Sequence, residues 1–486
     1  MMWYFSQKWQ HNVALADADN QLTYNELVNA VETRRAWLAD QKVSRVALFM
    51  DNSIEWALFD LACQQANICC VPVPVFFSAQ QTEYLLQASA SELLVVGPTQ
   101  ANTLEEVSKQ TPFAKVLFQR LHPSAAPLLP AGTHKITFTS GTTGTPKGVC
   151  LSNESQLTVA RSLASTIGLA QVKHLCLLPL ATLLENIAGI YAPLMVGGTV
   201  YLASQAERGF QGSRLTQPQA MLSLISLQQP NSIILVPELL AFMVLACQQG
   251  WQPPASLEFI AVGGGKVSAA LIEQARALGL PVFQGYGLSE CASVVSLNTN
   301  NADQPSSAGK LLPHAQARLE NGELIVSGNL FLGYMNQPES FYPTEFATGD
   351  LVSFEGDYLH IEGRCKNVLI NSFGRNISPE WIEAELMASQ CFRSVIVFGE
   401  AKPFCGALLV LAKADMPHNA IQATIDKVNA GLPDYAQIGD WLVSSEPLEQ
   451  IEGLITSTGK PIRNAILSHF HDRIETMYEM NQCANF

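Results

Sequence analysis

Lys135-Ile136-Thr137-Phe138 runs directly into Thr139-Ser140-Gly141-Thr142-Thr143-Gly144-Thr145-Pro146-Lys147-Gly148, and the rest of the chain is read outward from this stretch. The first four residues form a strand-like apolar step. The ten that follow gather hydroxyl side chains, glycines and one lysine in a loop whose backbone N–H groups can approach an anion closely. Such a loop suits a polyphosphate. It is not a Walker A loop, because Pro146 stands where a glycine should precede the lysine and Gly148 stands where Ser or Thr should hold magnesium. P-loop kinases and ATPases are thereby disfavoured. A Ser/Thr/Gly run is otherwise most often a plain surface loop; the ordered Pro146-Lys147-Gly148 ending sets this one apart.

On both sides of the loop, short β-branched runs alternate with helical patterns. Val46 to Met50 precedes a helix-like Ser53 to Ala66, and Leu93 to Val96 follows a helical Ala79 to Ala88. The rhythm recurs through Ser232 to Val236, Glu238 to Gln249, Glu258 to Val262, Ser268 to Leu278 and Pro281 to Gln284. Strand and helix alternation of this kind predicts an α/β architecture with parallel sheets. After about Asn300 the pattern changes to short strands separated by turn residues, as in Ala315 to Leu319, Asn321-Gly322 and Glu323 to Ser327. From Val368 a further strand, a loop and a helix near Pro379 begin a C-terminal lobe of roughly 120 residues, an ordinary domain size. The expected architecture is therefore α/β. It has a large N-terminal lobe, residues 1–362, of two wound α/β sheets with a small β-rich subdomain, and a hinge at 363–367. A smaller mobile α+β lobe occupies 368–486.

Composition narrows the class. With 486 residues, 48% hydrophobic and 14% charged, the chain is apolar-rich and globular, long enough for two or more domains. A net charge of −14 disfavours nonspecific nucleic-acid binding. The 11 cysteines are spread without metal-ligand spacing, the adjacent Cys69 and Cys70 included, which reads as reduced thiols in the cytoplasm. Trp3, Gln7, Lys8 and Trp9 interrupt any secretory apolar core. The most apolar tract, Leu175 to Leu202, is broken by Glu185, Asn186 and prolines, so no transmembrane segment is predicted; peripheral membrane contact stays open.

The segment Thr139 to Gly148 resembles the signature loop of the adenylate-forming superfamily, which contains acyl- and aryl-CoA synthetases, nonribosomal adenylation domains and luciferase. The resemblance extends from Leu22-Thr23-Tyr24-Asn25-Glu26-Leu27 to a late lysine motif, nearly the whole chain. It implies ATP and magnesium as cofactors, with Thr139, Ser140, Gly141, Thr142, Thr143, Gly144 and Lys147 around the phosphates. It also implies that Gly263-Gly264-Gly265 lies against adenine. In Gln284-Gly285-Tyr286-Gly287-Leu288-Ser289-Glu290 the tyrosine would stack on adenine, Ser289 would bind the α-phosphate and Glu290 would help hold magnesium, for which a carboxylate is a suitable hard ligand. Thr348-Gly349-Asp350-Leu351 is similar to the motif whose aspartate receives both ribose hydroxyls, and Arg364 to the arginine beside it. Lys460 resembles the catalytic lysine that reaches from the small lobe to the carboxylate and α-phosphate, where a cation stabilises charges brought together in the transition state.

The implied function is an AMP-forming acid–thiol ligase: a carboxylic acid is activated as acyl-AMP, and coenzyme A then takes the acyl group. An acyl carrier protein acting in trans is the alternative acceptor, and a noncatalytic nucleotide-binding protein is the alternative of another class. The text Asn371 to Glu380 looks like long-chain acyl-CoA synthetases, which points to a medium- or long-chain fatty acid. The loop around Ser372-Phe373-Gly374-Arg375 would form the thiol channel after lobe rotation. Two positions depart from the family pattern. Thr182, in Leu178 to Glu185, stands where relatives carry a histidine or aromatic near the acyl carboxylate, and Asn367 stands where an acidic residue usually follows the hinge.

Overall fold

The computed structural model describes residues 7–101, 109–113, 116–123, 125–139, 147–212, 214–370, 376–456 and 459–484. Two large sheets dominate the N-terminal lobe. In the first, parallel strands lie in the spatial order Val282–Leu288, Phe259–Val262, Ser232–Leu235, Lys173–Cys176, Thr199–Leu202 and Val13–Ala16. Their sequences are near-continuous apolar runs, as parallel strands covered on both faces must be. Helices Pro218–Gln228, Pro237–Gln248 and Ala269–Ala277 cover one face through Leu222, Ile225, Leu240, Val244 and Ile272.

In the second sheet the parallel centre is Leu93–Val96, Arg45–Phe49, Cys69–Pro72 and Lys135–Thr139. Antiparallel strands Lys147–Leu151 and Gly333–Tyr334 flank it on one side. Helices Tyr24–Gln41 and Ile54–Ala66 pack against this sheet, with Trp56, Phe59, Leu27 and Val31 fully buried. The Leu22 to Leu27 motif has a local cause: Thr23 and Glu26 form a reciprocal capping box that starts the first helix. Tyr24 then donates its hydroxyl to the Gly198 carbonyl at 2.8 Å, tying that helix to the first sheet.

The β-rich segment expected after Asn300 is not a separate sheet. Its strands continue the first sheet by antiparallel pairing, from Val282–Leu288 through Ser293–Leu297, Lys310–Leu311, Tyr358–Arg364, Glu345–Glu355 and Glu323–Gly328 to Ala315–Glu320. The apolar tract Leu175 to Leu202 folds as a strand end, a π-helix over Glu185–Tyr191, a short helix and another strand. No described helix is long and apolar enough to cross a membrane. The C-terminal segment has its own core. Strands Phe392–Phe398, Cys405–Leu411 and Ile438–Val443 form a three-stranded sheet, against which Ile382, Leu386, Ile421 and Ile425 of two helices are buried. The described cysteines are free thiols, most of them buried.

A buried polar network joins the two large sheets. Lys135, on the strand before the phosphate loop, lies 2.8 Å from Asp60, and both side chains are almost wholly removed from water. Tyr191 donates its hydroxyl to Asp60 at 2.5 Å and Asn186 its amide at 3.0 Å, while Lys135 donates to Asn186 and Tyr191. A buried pair is strongly destabilising when one charge is removed and the other remains. Asp60→Asn is therefore expected to lower the unfolding free energy by about 3 kcal/mol or more, read as a shift in the denaturant midpoint; an unchanged midpoint would show that Lys135 finds another counter-charge.

Candidate active site

Strands Lys135–Thr139 and Lys147–Leu151 pair antiparallel with Thr139 opposite Lys147, so the two strands form a hairpin. A Walker A loop would instead open into a helix. Ser140, Gly141, Thr142, Thr143 and Gly144 lie outside the described residues, as do Thr145 and Pro146. Lys147 is exposed at the hairpin base, with Nζ 5.1 Å from the ring centroid of Tyr334.

The facing wall comes from the first sheet. Strand Phe259–Val262 ends in Gly263-Gly264-Gly265, and Gly264 sits at φ +80°, a conformation glycine adopts without steric cost. Strand Val282–Leu288 carries Gln284, Gly285 and Tyr286 beside that turn. At Gly287 the chain bulges, and a Cβ there would lie 1.9 Å from the Ser293 carbonyl oxygen. Only glycine allows this approach. It closes a tight reversal through Ser289–Cys291 that presents Ser289 and Glu290 at its tip. Glu290 is fixed twice: its carboxylate accepts the Tyr334 hydroxyl at 2.7 Å, and its carbonyl accepts the Phe331 amide at 2.7 Å.

Asp350 and Arg364 are register partners on adjacent antiparallel strands. Asp350 is buried, accepting the Tyr286 hydroxyl at 2.6 Å on one oxygen and meeting Arg364 Nε at 2.6 Å on the other. Burial pushes the Asp350 carboxyl above its ordinary range, opposed by the Arg364 charge and the Tyr286 hydrogen bond. Burial, and then Asp350 itself, push the Tyr286 phenol well above its usual value, so it stays a proton donor. The sign of each effect follows from which form the surroundings solvate.

Lys460 comes from the C-terminal segment and donates to the Gly264 carbonyl at 3.2 Å. Its side chain remains open to water at the mouth of the cleft, yet the protein around it lowers its pKa by desolvation, opposed by Glu238 and reinforced by Arg364. Asp350 in turn feels the negative charge of Glu290. Direct contacts and charge interactions link these residues: Tyr334 meets both Glu290 and Lys147, Glu290 acts on Asp350, and Arg364 acts on Lys460. Glu290, a hard carboxylate beside the lysine that ends the phosphate hairpin, has the chemistry a magnesium ion carried by a polyphosphate requires.

Thr182 is committed within its own turn. Its hydroxyl donates to the Pro179 carbonyl at 2.6 Å and its amide to the same oxygen at 2.9 Å, so the side chain caps its own turn. Buried Asn52 clamps that turn, donating to the Leu178 carbonyl at 2.9 Å and accepting the Leu180 amide at 2.8 Å. Asn367, the other departure, donates to Glu380 at 2.5 Å. The loop around Ser372 to Arg375 is outside the described residues.

Sequence reading missed Tyr334, Asn52 and Lys266. Lys266 directly follows the glycine turn and donates to the Glu362 carbonyl at 3.1 Å; burial pushes it down to about 8 against the pull of Glu380, Glu385 and Glu362. None of the three sits in a motif that carries chemistry. Their contacts are made across long sequence separations that no local pattern encodes.

An α/β protein of two wound sheets, followed by a smaller C-terminal segment with its own core, is the class these features define. The AMP-binding enzyme profile matches residues 3–335 and that of the AMP-binding enzyme C-terminal domain matches 366–482. The chain belongs to the AMP-binding enzyme family, the adenylate-forming ligases. It is 25% identical to the long-chain-fatty-acid CoA ligase FadD15 of Mycobacterium tuberculosis, over 96% of this chain and 92% of that protein. It is 28% identical to the 2-succinylbenzoate CoA ligase of Bacillus velezensis, over 84% of this chain and 87% of the relative. Among solved structures, the anthranilate CoA ligase AuaEII with anthranoyl-AMP superposes with a TM-score of 0.80 at 18% identity, covering 96% of each chain. The o-succinylbenzoate coenzyme A synthetase of Bacillus subtilis with ATP and magnesium gives 0.74 at 23% identity, over 95% of this chain and 98% of that one.

Because the Thr182 hydroxyl is already committed to Pro179, Thr182→Val is expected to cost about 1 kcal/mol of stability and leave acid-dependent turnover within a few-fold of the parent. Denaturant unfolding and an activity assay check both halves; a loss of turnover without loss of stability would mean that the hydroxyl turns to meet the substrate.

Proposed function

We propose that this protein activates a carboxylic acid with ATP and magnesium as acyl-AMP and then transfers the acyl group to coenzyme A. The reading rests on one observation above the others: Lys460, from the C-terminal segment, reaches the Gly264 carbonyl at the wall of the cleft that holds Tyr286, Asp350 and Arg364. A late cation delivered to the wall of a nucleotide cleft is what the first half-reaction needs. A carboxylate oxygen attacks the α-phosphorus, the bond to pyrophosphate breaks, and Lys460 lies where both negative reactants meet. Glu290 would hold the magnesium ion, which would supply charge neutralisation for the departing pyrophosphate. In this reading Asp350 and Arg364 hold the ribose, the glycine turn and Tyr286 flank adenine, and Ser289 meets the α-phosphate. Thr139 and Lys147 flank the phosphate chain.

In the second half-reaction a thiol attacks the acyl carbonyl of the mixed anhydride, AMP leaves with the bonding electrons, and the thiol proton passes to solvent. The small lobe, residues 368–486, turns about 363–367 between the two steps, withdrawing Lys460. A fatty acid is the proposed acid. The similarity of 371–380 to long-chain synthetases and the FadD15 relative support it, while relatives named for 2-succinylbenzoate and ferulate define the competing acids.

The deciding experiment is pyrophosphate release from ATP and magnesium with fatty, benzoic and cinnamic acids, with and without coenzyme A. Release that peaks with fatty acids and turns over only with coenzyme A is expected; a peak with an aromatic acid would replace the fatty substrate, and no release with any acid would overturn the ligase reading. Lys460→Ala is expected to slow pyrophosphate release about 100-fold, about 3 kcal/mol of transition-state stabilisation. Thioester formation from preformed acyl-AMP is expected to stay within a few-fold of the parent, because Lys460 has left the site by then. Equal loss in both steps would remove Lys460 from its half-reaction-specific role.

A further inference from the structure

We propose that Tyr334 is the positioning residue that sets Glu290 and Lys147 in register for a magnesium-bound triphosphate, an inference that rests on the ligase reading above. The residue belongs to no chemistry-bearing motif, yet it touches both charged groups at once. Its hydroxyl donates to Glu290 Oε1 at 2.7 Å, and its ring lies under Lys147 Nζ at 5.1 Å from the centroid.

Strand register explains how one side chain can do both. Gly333–Tyr334 pairs antiparallel with Lys147–Leu151, and Tyr334 sits opposite Val149. Side chains two apart on a strand share a face, so Tyr334 and Lys147 are diagonal neighbours on the same side of the second sheet. The pairing is held on either side of Tyr334 by the Leu332 amide on the Cys150 carbonyl at 2.8 Å and the Met335 amide on the Gly148 carbonyl at 2.9 Å. Glu290 belongs to the first sheet. Tyr334 and the Phe331 amide, which bonds the Glu290 carbonyl, therefore lock the tip of one sheet to the edge of the other.

The chemistry of the contact suits a metal-binding carboxylate. A phenol that donates to one carboxylate oxygen fixes the plane and rotamer of the group, and carboxylate lone pairs remain for a hard cation. On the other side, the aromatic face attracts the Lys147 ammonium without neutralising it, which keeps a full positive charge available to phosphate. A direct Lys147–Glu290 ion pair would cancel both charges. Tyr334 engages each separately.

Two substitutions separate the hydroxyl from the ring. Tyr334→Phe keeps the ring under Lys147 and removes the donor; Tyr334→Leu removes both. Binding of Mn²⁺ to enzyme saturated with α,β-methylene-ATP, followed by electron paramagnetic resonance, reads the metal site without turnover. The Mg²⁺ dependence of pyrophosphate release and the KM values for ATP and acid read its effect on catalysis. Tyr334→Phe is expected to weaken Mn²⁺ binding about tenfold, as for loss of a hydrogen bond to a charged group, and to raise the half-saturating Mg²⁺ concentration by a similar factor. The KM for acid and the melting temperature stay near the parent values. Tyr334→Leu is expected to raise the KM for ATP several-fold besides. Mn²⁺ binding by Tyr334→Phe equal to the parent's would overturn the proposal, as would a uniform loss in all parameters with a lowered melting temperature. A parent protein that binds Mn²⁺ with the nucleotide but releases no pyrophosphate with any acid would refute the ligase reading alone, and the Mn²⁺ comparison would still decide the role of Tyr334.

Discussion

The buried Lys135–Asp60 pair is the constraint on which the rest of the cleft depends. Asp60 lies on the helix that follows the first strand of the second sheet, Lys135 on the strand that leads into the phosphate hairpin, and Asn186 and Tyr191 on the π-helix wedged against the first sheet. Desolvating two charges costs several kcal/mol unless the geometry and further hydrogen bonds compensate. Here both charges find amide or phenol partners. The network is satisfied only when both sheets and the π-helix are seated together, so it specifies their relative position. Because the hairpin of Lys135–Thr139 and Lys147–Leu151 belongs to one sheet and the glycine turn and Tyr286 to the other, that position also sets the spacing between them.

The same logic recurs nearer the surface. Tyr286 and Asp350 join two strands of the first sheet that do not pair with each other, Tyr334 and Glu290 join the two sheets, and Lys460 joins the C-terminal segment to the glycine turn. Each is a single polar contact between elements that apolar packing alone would leave free to slide. The innermost contacts are buried and the outermost is exposed to water. Exposed polar contacts cost little to break.

Much of the fold was legible from the sequence, and the residues show why. Runs such as Leu93–Val96 and helices such as Ala79–Ala88 fall where periodicity placed them, because their patterns are local and uninterrupted. The large first sheet was not foreseen as continuous with the β-rich segment, since the pairing of Lys310–Leu311 with Tyr358–Arg364 spans a separation that no window of sequence reports. In the site, Glu290, Asp350 and Lys460 were accessible through motif resemblance. Tyr334 and Asn52 were not, because a tyrosine on a two-residue strand and an asparagine before a helix look the same whether or not they hold a distant turn. Thr182 shows the complementary limit: the sequence revealed a departure from the family, and only the hydrogen bond to Pro179 shows where the hydroxyl goes.

Asn367 and Glu380 bear on how freely the two parts of the chain could be exchanged with those of relatives. The amide of Asn367 donates to a Glu380 carboxylate oxygen, whose partner oxygen accepts the Ser378 hydroxyl. A carboxylate at 367 would face the Glu380 carboxylate at hydrogen-bonding distance. Asn367 and the acid on the following helix therefore form a matched pair that has to travel together. A graft that cut the chain between them would join two sound halves across a repulsive seam, and a graft that cut before Asn367 would carry the compatibility with it.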